Sequence, residues 1–361
     1  MQKSKLILIA GLVAAMLITM FGLYGCATEQ AAETTAAAAE TTAAAAETTA
    51  AAAETTAAAG EMIKVGNSIG VIGSPFCEGL RDGSTDKITE LGGEPVLVIA
   101  DGDATLQATQ IEDLVAQGCK AVMVFAVDTD AITASAKYCQ DNGVLFSQFS
   151  RISPDLSNVD LAIGFDNKQQ AEICGQDILA GGAEAGYTEL KCIEFVGSLT
   201  DQNAIERQDY FDEFAAANGI EVVAKVLTDW DGELAYSRFK DAITSVGGDY
   251  NCIYAASDFL FTPIMSVLTE QGQWVQMGEE GYKVITGIDG APDALDKIRA
   301  GNVYSVANTD VLVLGKATAE KTWDMLVNGT TYSDADKVII IPATSVTKAN
   351  ADDPQIWGNV Y

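Results

Sequence analysis

The sequence predicts an α/β protein with two doubly wound parallel-sheet lobes, preceded by an export signal and a non-globular linker. Three observations predict it. Short β-branched runs alternate with longer amphipathic segments. The alternation comes in two series, which implies two sheets rather than one. The globular part, Glu61 to Tyr361, is 301 residues, more than a single core usually holds.

The first 60 residues lie outside that pattern. Lys3 and Lys5 precede an apolar block, Leu6 to Phe21, that closes on small residues, the layout of a secretory signal. The block is shorter than the ~20 residues of a permanent membrane helix, so residues 1–25 are expected to be removed and the remainder to lie outside the cytoplasm. Leu23-Tyr24-Gly25-Cys26 resembles a bacterial lipobox, which implies cleavage before Cys26, a diacylglycerol on its thiol and attachment to the outer face of the cytoplasmic membrane. Residues 26–60 then read as a tether. Glu33, Glu40, Glu47 and Glu54 recur every seven residues, but no Leu, Ile or Val supplies a coiled-coil seam, so the segment is expected to be a solvated acidic linker, partly helical at most.

In the globular part, Ile69–Ile72, Val96–Ile99, Ala121–Phe125 and Val144–Ser147 read as buried parallel strands. Ala104–Gln117 and Thr129–Asn142 are helical in period and stop at Gly118 and Gly143, which permit the left-handed conformation that ends a helix. The second series places strands at Cys192–Val196, Glu221–Leu227, Cys252–Ala255 and Val284–Gly287, each followed by a helical pattern. Ligands of such sheets bind beyond the carboxyl ends of the strands.

Composition excludes several functions. With 21 basic and 51 acidic residues, a formal net charge of −30, the chain lacks the clustered cations that nucleic acid requires. It has no histidine, so Ser-His-Asp and Cys-His catalytic sets and His-based zinc sites are ruled out. Besides Cys26 there are six widely spaced cysteines without a CxxC, expected to be buried thiols rather than disulfides. The acid pairs Asp101/Asp103, Asp128/Asp130 and Asp229/Asp231 lack the rest of a calcium loop and are expected to cap helices or face solvent. No phosphate-cradling glycine motif stands after a strand, and neither a cofactor nor a metal is expected.

The strand ends carry the chemistry. Gly73-Ser74-Pro75-Phe76-Cys77 follows the first strand as a Pro-containing turn, and Phe149-Ser150-Arg151 follows the fourth. In the second series the equivalent positions hold Asn203 to Arg207, Asp229-Trp230-Asp231, Ser257-Asp258, Asp289-Gly290 and Asn308. Aromatic faces, arginines, a carboxylate and small polar groups suit a polyhydroxylated ring, with its C–H faces covered and its hydroxyls hydrogen-bonded.

Taken in order, Ser74-Pro75-Phe76, Gln110-Ile111-Glu112-Asp113-Leu114 leading to Gly118, Asp128-Thr129-Asp130-Ala131, Arg207 with Phe211, Asp229-Trp230-Asp231 and Gly287 to Asp293 give the chain a clear resemblance. From about Ile63 onward it resembles the ribose-binding branch of the type I periplasmic binding proteins, the ligand-capturing subunits of sugar ABC importers. The resemblance implies two lobes joined by three hinge crossings, lobe 1 at 61–165 plus 309–338 and lobe 2 at 166–308 plus 339–361. It implies a monomer that delivers a sugar to a membrane permease and catalyses nothing. As site residues it implies Phe76 and Trp230 on opposite ligand faces, Arg151 and Arg207 as hydroxyl-binding forks, and Ser74, Ser257, Asp289 and Asn308 as further polar contacts.

The chain also departs from that pattern. Ser150 replaces an aspartate, Cys77 an aromatic, Ser257 a common asparagine, and Phe125 a polar residue. Two arginines facing Asp289 alone would leave surplus positive charge, which raises a sugar acid as an alternative ligand. Sensing for a receptor is the other alternative, and a two-carboxylate glycosidase the least favoured.

Overall fold

The structure, a computed structural model, describes residues 62–361; the signal, Cys26 and the linker lie outside the described residues. Its strands are β1 Lys64–Ile69, β2 Glu94–Ile99, β3 Ala121–Phe125, β4 Leu145–Ser150, β5 Leu161–Phe165, β6 Leu190–Val196, β7 Ile220–Leu227, β8 Cys252–Ala255, β9 Val284–Asp289, β10 Ser305–Asn308, β11 Val338–Ile341 and β12 Thr344–Thr347. Between them run helices α1 Pro75–Glu90, α2 Ala104–Ala116, α3 Ile132–Asp141, α4 Asn167–Glu184, α5 Gln202–Asn218, α6 Gly232–Ser245, α7 Phe261–Glu270, α8 Pro292–Ala300 and α9 Val311–Asn328.

Two six-stranded sheets result, ordered β11-β5-β4-β3-β1-β2 and β12-β10-β9-β8-β6-β7. All pairings are parallel except β12 against β10. Both faces of each sheet are covered, and strand alternation shows why. Ala121, Met123 and Phe125 of β3 enter one cluster with Leu80 and Ile88 of α1 and Val311 and Leu314 of α9. Val122 and Val124 enter the opposite cluster with Ile111 and Leu114 of α2 and Ile132 of α3. In the second sheet, Ile193 and Phe195 of β6 pack with Phe239 of α6, Phe261 of α7 and Leu295 of α8, whereas Cys192 faces Cys174 of α4 and Phe211 of α5. Truncating a fully buried ring such as Phe146 to alanine would cost about 3–5 kcal/mol, enough to unfold many domains of marginal stability.

Local signals set the ends of the helices. Asp103, Asp166, Asp201, Asp231 and Asp310 each accept backbone N–H bonds at an N-cap. Asp103 and Asp231 thus cap their helices, and Asp128 accepts from the Asp130 and Ala131 amides, as expected of three of the acid pairs' members. The six cysteines among the described residues are free and buried.

Several expectations shift. The fourth strand runs on to Ser150, so Phe149 and Ser150 lie within it rather than after it, and the helix expected from Thr129 begins at Ile132. The first strand is Lys64–Ile69, ahead of the expected Ile69–Ile72, because Asn67 and Ser68 are buried polar residues that hid an inward-facing strand. Ser74-Pro75 is not a plain turn but the N-cap and first residue of α1, where a fixed φ and a missing N–H suit helix initiation. Val338–Ile341 pairs with β5 in the first sheet, so the expected 338/339 lobe boundary falls inside a strand and the last crossing comes after Ile341.

Candidate functional site

A cleft of about 520 Å³ opens beyond the carboxyl ends of the strands of both sheets. Ser74, Phe76, Arg151, Arg207, Trp230, Ser257 and Asp289 all line it. Asn308 does not: its Oδ1 is buried without a partner behind Gly290. Phe76, in the first turn of α1, and Trp230, between β7 and α6, come from the two different lobes, Phe76 6.4 Å from the Phe165 ring and Trp230 6.0 Å from that of Phe259.

Backbone strain marks the same place. Among the described residues, the non-glycine residues with positive φ are Asp101, Ser150, Asp229, Trp230 and Asp289, at 51°, 65°, 54°, 57° and 116°. All five line the cleft. Such conformations persist only where surrounding structure enforces them, and they gather at functional sites. Another hollow of about 450 Å³, lined by Glu184, Tyr282 and Tyr304 among others, has no such residue.

The two arginines are held rigidly. Arg151 sits with its guanidinium carbon 4.6 Å from the Phe125 ring centroid, and its Nη1 donates to the carbonyls of Ala126 and Val127 at 2.9 and 3.2 Å. The apolar substitution at Phe125 thus supplies a cation–π platform. Arg207 donates from Nε to Asn167 Oδ1 and Gln170 Oε1 at 3.1 and 2.9 Å and from Nη1 to the Ala256 carbonyl at 2.8 Å. Its Nη2 is buried with no partner, as is the Ser150 hydroxyl beside Arg151. Each is a polar group whose burial is costly until something hydrogen-bonds to it.

Asp289 accepts from the Ser257 hydroxyl and, at 3.4 Å, from that of Thr309. Its carboxyl is pushed above the usual carboxylate range by burial, with Arg207 pulling the other way. The neighbouring Asp258 is raised too, by burial and then by the Asp289 charge, and its Oδ2 accepts from the Gly290 and Ala291 amides at 2.8 and 2.7 Å. One oxygen of Asp258 is therefore engaged by backbone.

One residue that the strand-end reading missed changes the charge balance. Asp201 Oδ2 lies 2.8 Å from Arg151 Nε and accepts the Trp230 indole N–H at 3.0 Å. The expectation of two arginines facing Asp289 alone is therefore corrected: Arg151 has its own carboxylate, reached from the other lobe. The only signal in the sequence was an Asp at a helix start, which reads as an ordinary cap. Asn203 also crosses the cleft, donating to the Ser150 carbonyl at 3.0 Å, and the Thr129 amide donates to the Thr200 carbonyl at 3.1 Å.

Two parallel-sheet lobes whose facing loops enclose a cleft of polar and aromatic groups define a two-lobed ligand-binding protein. A family comparison agrees. The periplasmic binding protein domain matches residues 65–330, and the chain belongs to that family, with the type I fold. It is 26% identical over 275 residues to the multiple sugar-binding periplasmic protein SbpA of Azospirillum brasilense, covering 70% of this chain and 77% of that one. Over 265 residues it is 23% identical to the ribose import binding protein RbsB of Bacillus subtilis, covering 73% and 81%. In fold it matches an ABC transporter solute binding protein from Bacillus halodurans with bound myo-inositol, with a TM-score of 0.74, 18% identity and coverage of 83% and 98%.

Proposed function

We propose that the chain is the solute-binding subunit of an ABC importer, tethered outside the cell through Cys26, that captures a monosaccharide or related polyol in the cleft and presents it to a membrane permease. The convergence of Ser74, Phe76, Arg151, Arg207, Trp230, Ser257 and Asp289 on one cleft, together with every strained non-glycine residue described, carries this reading. Its chemistry fits: ring faces cover C–H surfaces, while the polar residues lining the cleft, Ser74, Arg207, Ser257 and Asp289 among them, meet ligand hydroxyls. Related proteins named for sugars and polyols support the ligand class. Binding, not turnover, is the activity this reading expects, as befits the periplasmic binding protein family.

A thermal-shift screen of residues 61–361 against pentoses, hexoses and cyclitols tests it, since a ligand that binds only the folded state raises its melting temperature. A shift with one or more of these, lost in Trp230→Ala and Arg207→Ala, is expected. No shift with any of them, or unchanged shifts in both variants, would refute it.

A further inference from the structure

We infer that Asp201 is a specificity-determining residue, the group by which this cleft takes uncharged polyhydroxyl ligands and rejects their carboxylate analogues. The inference rests on the solute-binding reading above and deepens it. Asp201 is 2% exposed at the N-cap of α5, so its position is fixed by the helix it starts. One oxygen accepts the Asn203 amide at 3.0 Å; the other pairs with Arg151 Nε at 2.8 Å and accepts the Trp230 indole at 3.0 Å.

The consequence lies in what remains of the arginine. A carboxylate is best held by two adjacent guanidinium N–H groups, a planar fork. Arg151 has one edge taken at Nε by Asp201 and the other at Nη1 by the Ala126 and Val127 carbonyls. Arg207 repeats the pattern, with Nε on Asn167 and Gln170, Nη1 on the Ala256 carbonyl, and Nη2 left over. Each two-nitrogen edge of either guanidinium therefore has one nitrogen already engaged, so neither presents an unoccupied fork; on Arg207 the nitrogen without a partner is the buried Nη2. The side chains expected to act as forks therefore act as point donors.

Charge acts in the same direction. A ligand carboxylate reaching Arg151 would stand beside the Asp201 carboxylate, with Asp101 and Asp229 also on the cleft wall, in a chain of formal net charge −30. The charge of Arg151 is already matched, so an anion gains little attraction and loses its hydration.

Calorimetry on residues 61–361 with neutral probes (myo-inositol, D-ribose, D-arabinose) and acidic ones (D-glucuronate, D-ribonate) tests the assignment. The readout is the ratio of acid to neutral affinity. The wild type should bind at least one neutral probe and bind the acids at least a hundredfold more weakly. Asp201→Asn keeps a capping side chain and removes the charge; it should raise the ratio tenfold or more. Arg151→Gln should lower it, so the assignment does not depend on one variant folding. A role confined to holding the lobes together would weaken neutral and acidic probes alike in both variants, leave the ratio fixed, and overturn the inference. Acids bound by the wild type as tightly as neutral probes would overturn it as well. A wild type that binds neither class would remove the solute-binding reading itself, and this inference with it, which is a distinguishable result.

Discussion

Gly197→Ala isolates the contribution of the Trp230 ring. Gly197 follows β6, and a Cβ built on it would stand 2.1 Å from Trp230 Cζ2, 2.2 Å from Cη2 and 2.4 Å from Cε2. No real Cβ contact is so short, so the indole has to move. The Gly197 backbone is not in the left-handed region, so alanine itself fits the chain and the effect comes from the displaced ring. The displacement breaks the 3.0 Å bond from the indole N–H to the Asp201 carboxylate, which costs about 1.5–3 kcal/mol of folding stability with or without ligand. It also removes part of the aromatic coverage of the ligand, about 0.5–1.5 kcal/mol. Only the loss of ring coverage, with the apolar contact that goes with it, acts on affinity: about 1–2 kcal/mol, or roughly 5- to 30-fold. Calorimetry with the tightest neutral ligand from the screen measures it, with the melting temperature of the ligand-free variant as the control for folding. Affinity within threefold of wild type in a folded variant would show that the ring does not cover the ligand.

Other outcomes follow from single contacts. Arg207→Lys loses the planar geometry that reaches Asn167, Gln170 and Ala256 together, and should weaken binding by about 2–4 kcal/mol with the fold retained; calorimetry and circular dichroism separate the two. Trp357, fully buried, donates from Nε1 to the Asp289 carbonyl at 2.8 Å, while the Thr309 amide donates to the same oxygen at 3.0 Å, so Trp357→Phe should cost about 1 kcal/mol of stability for the bond and more for the cavity, read as a lower melting temperature. Burial pushes the Glu194 carboxyl up to about 8, against the opposing pull of Lys225. The folded state then holds a proton that the unfolded state releases, so stability present below the ordinary carboxylate range is lost as pH rises toward 8. Glu194→Gln should match wild type near pH 5 and melt higher near pH 8 in calorimetric scans. Aromatic-disulfide titration of residues 61–361 should find six thiols after denaturation and essentially none in the native protein.

The sheets were legible because parallel strands buried on both faces read as apolar runs, and Ala121–Phe125 and Cys252–Ala255 are placed to the residue. β1 was not, since its buried Asn67 and Ser68 make internal bonds of the kind that no hydropathy pattern encodes: Asn67 receives no help from apolarity but donates to Ser84 and Thr85 on α1. Seven of eight cleft residues were legible for a different reason, namely that a parallel sheet sends every strand's following loop to the same side. Asn308, the last residue of β10, obeys the same rule yet places its amide oxygen against Gly290 and outside the cleft lining. Asp201 was hidden because its role depends on a distance across lobes, and sequence spacing within one lobe carries no trace of it.

The contacts across the cleft are few, and this bears on how the ligand acts. One ion pair and bonds such as Asn203 to Ser150 and Thr129 to Thr200 join the facing loops. Buried pairs of this sort are offset by desolvation and contribute modestly to the net. A ligand that turns a population from 1:99 to 99:1 in favour of the closed arrangement needs about 5.5 kcal/mol of differential affinity. That amount has to come from groups satisfied only when both lobes touch the ligand; Arg207 in one lobe and Ser150 in the other line the cleft, and each has a polar atom left without a partner. Removing both, as Ser150→Ala with Arg207→Lys, should therefore reduce ligand-induced compaction in small-angle scattering more than either change alone, and equal compaction in the double variant would place the closing force elsewhere.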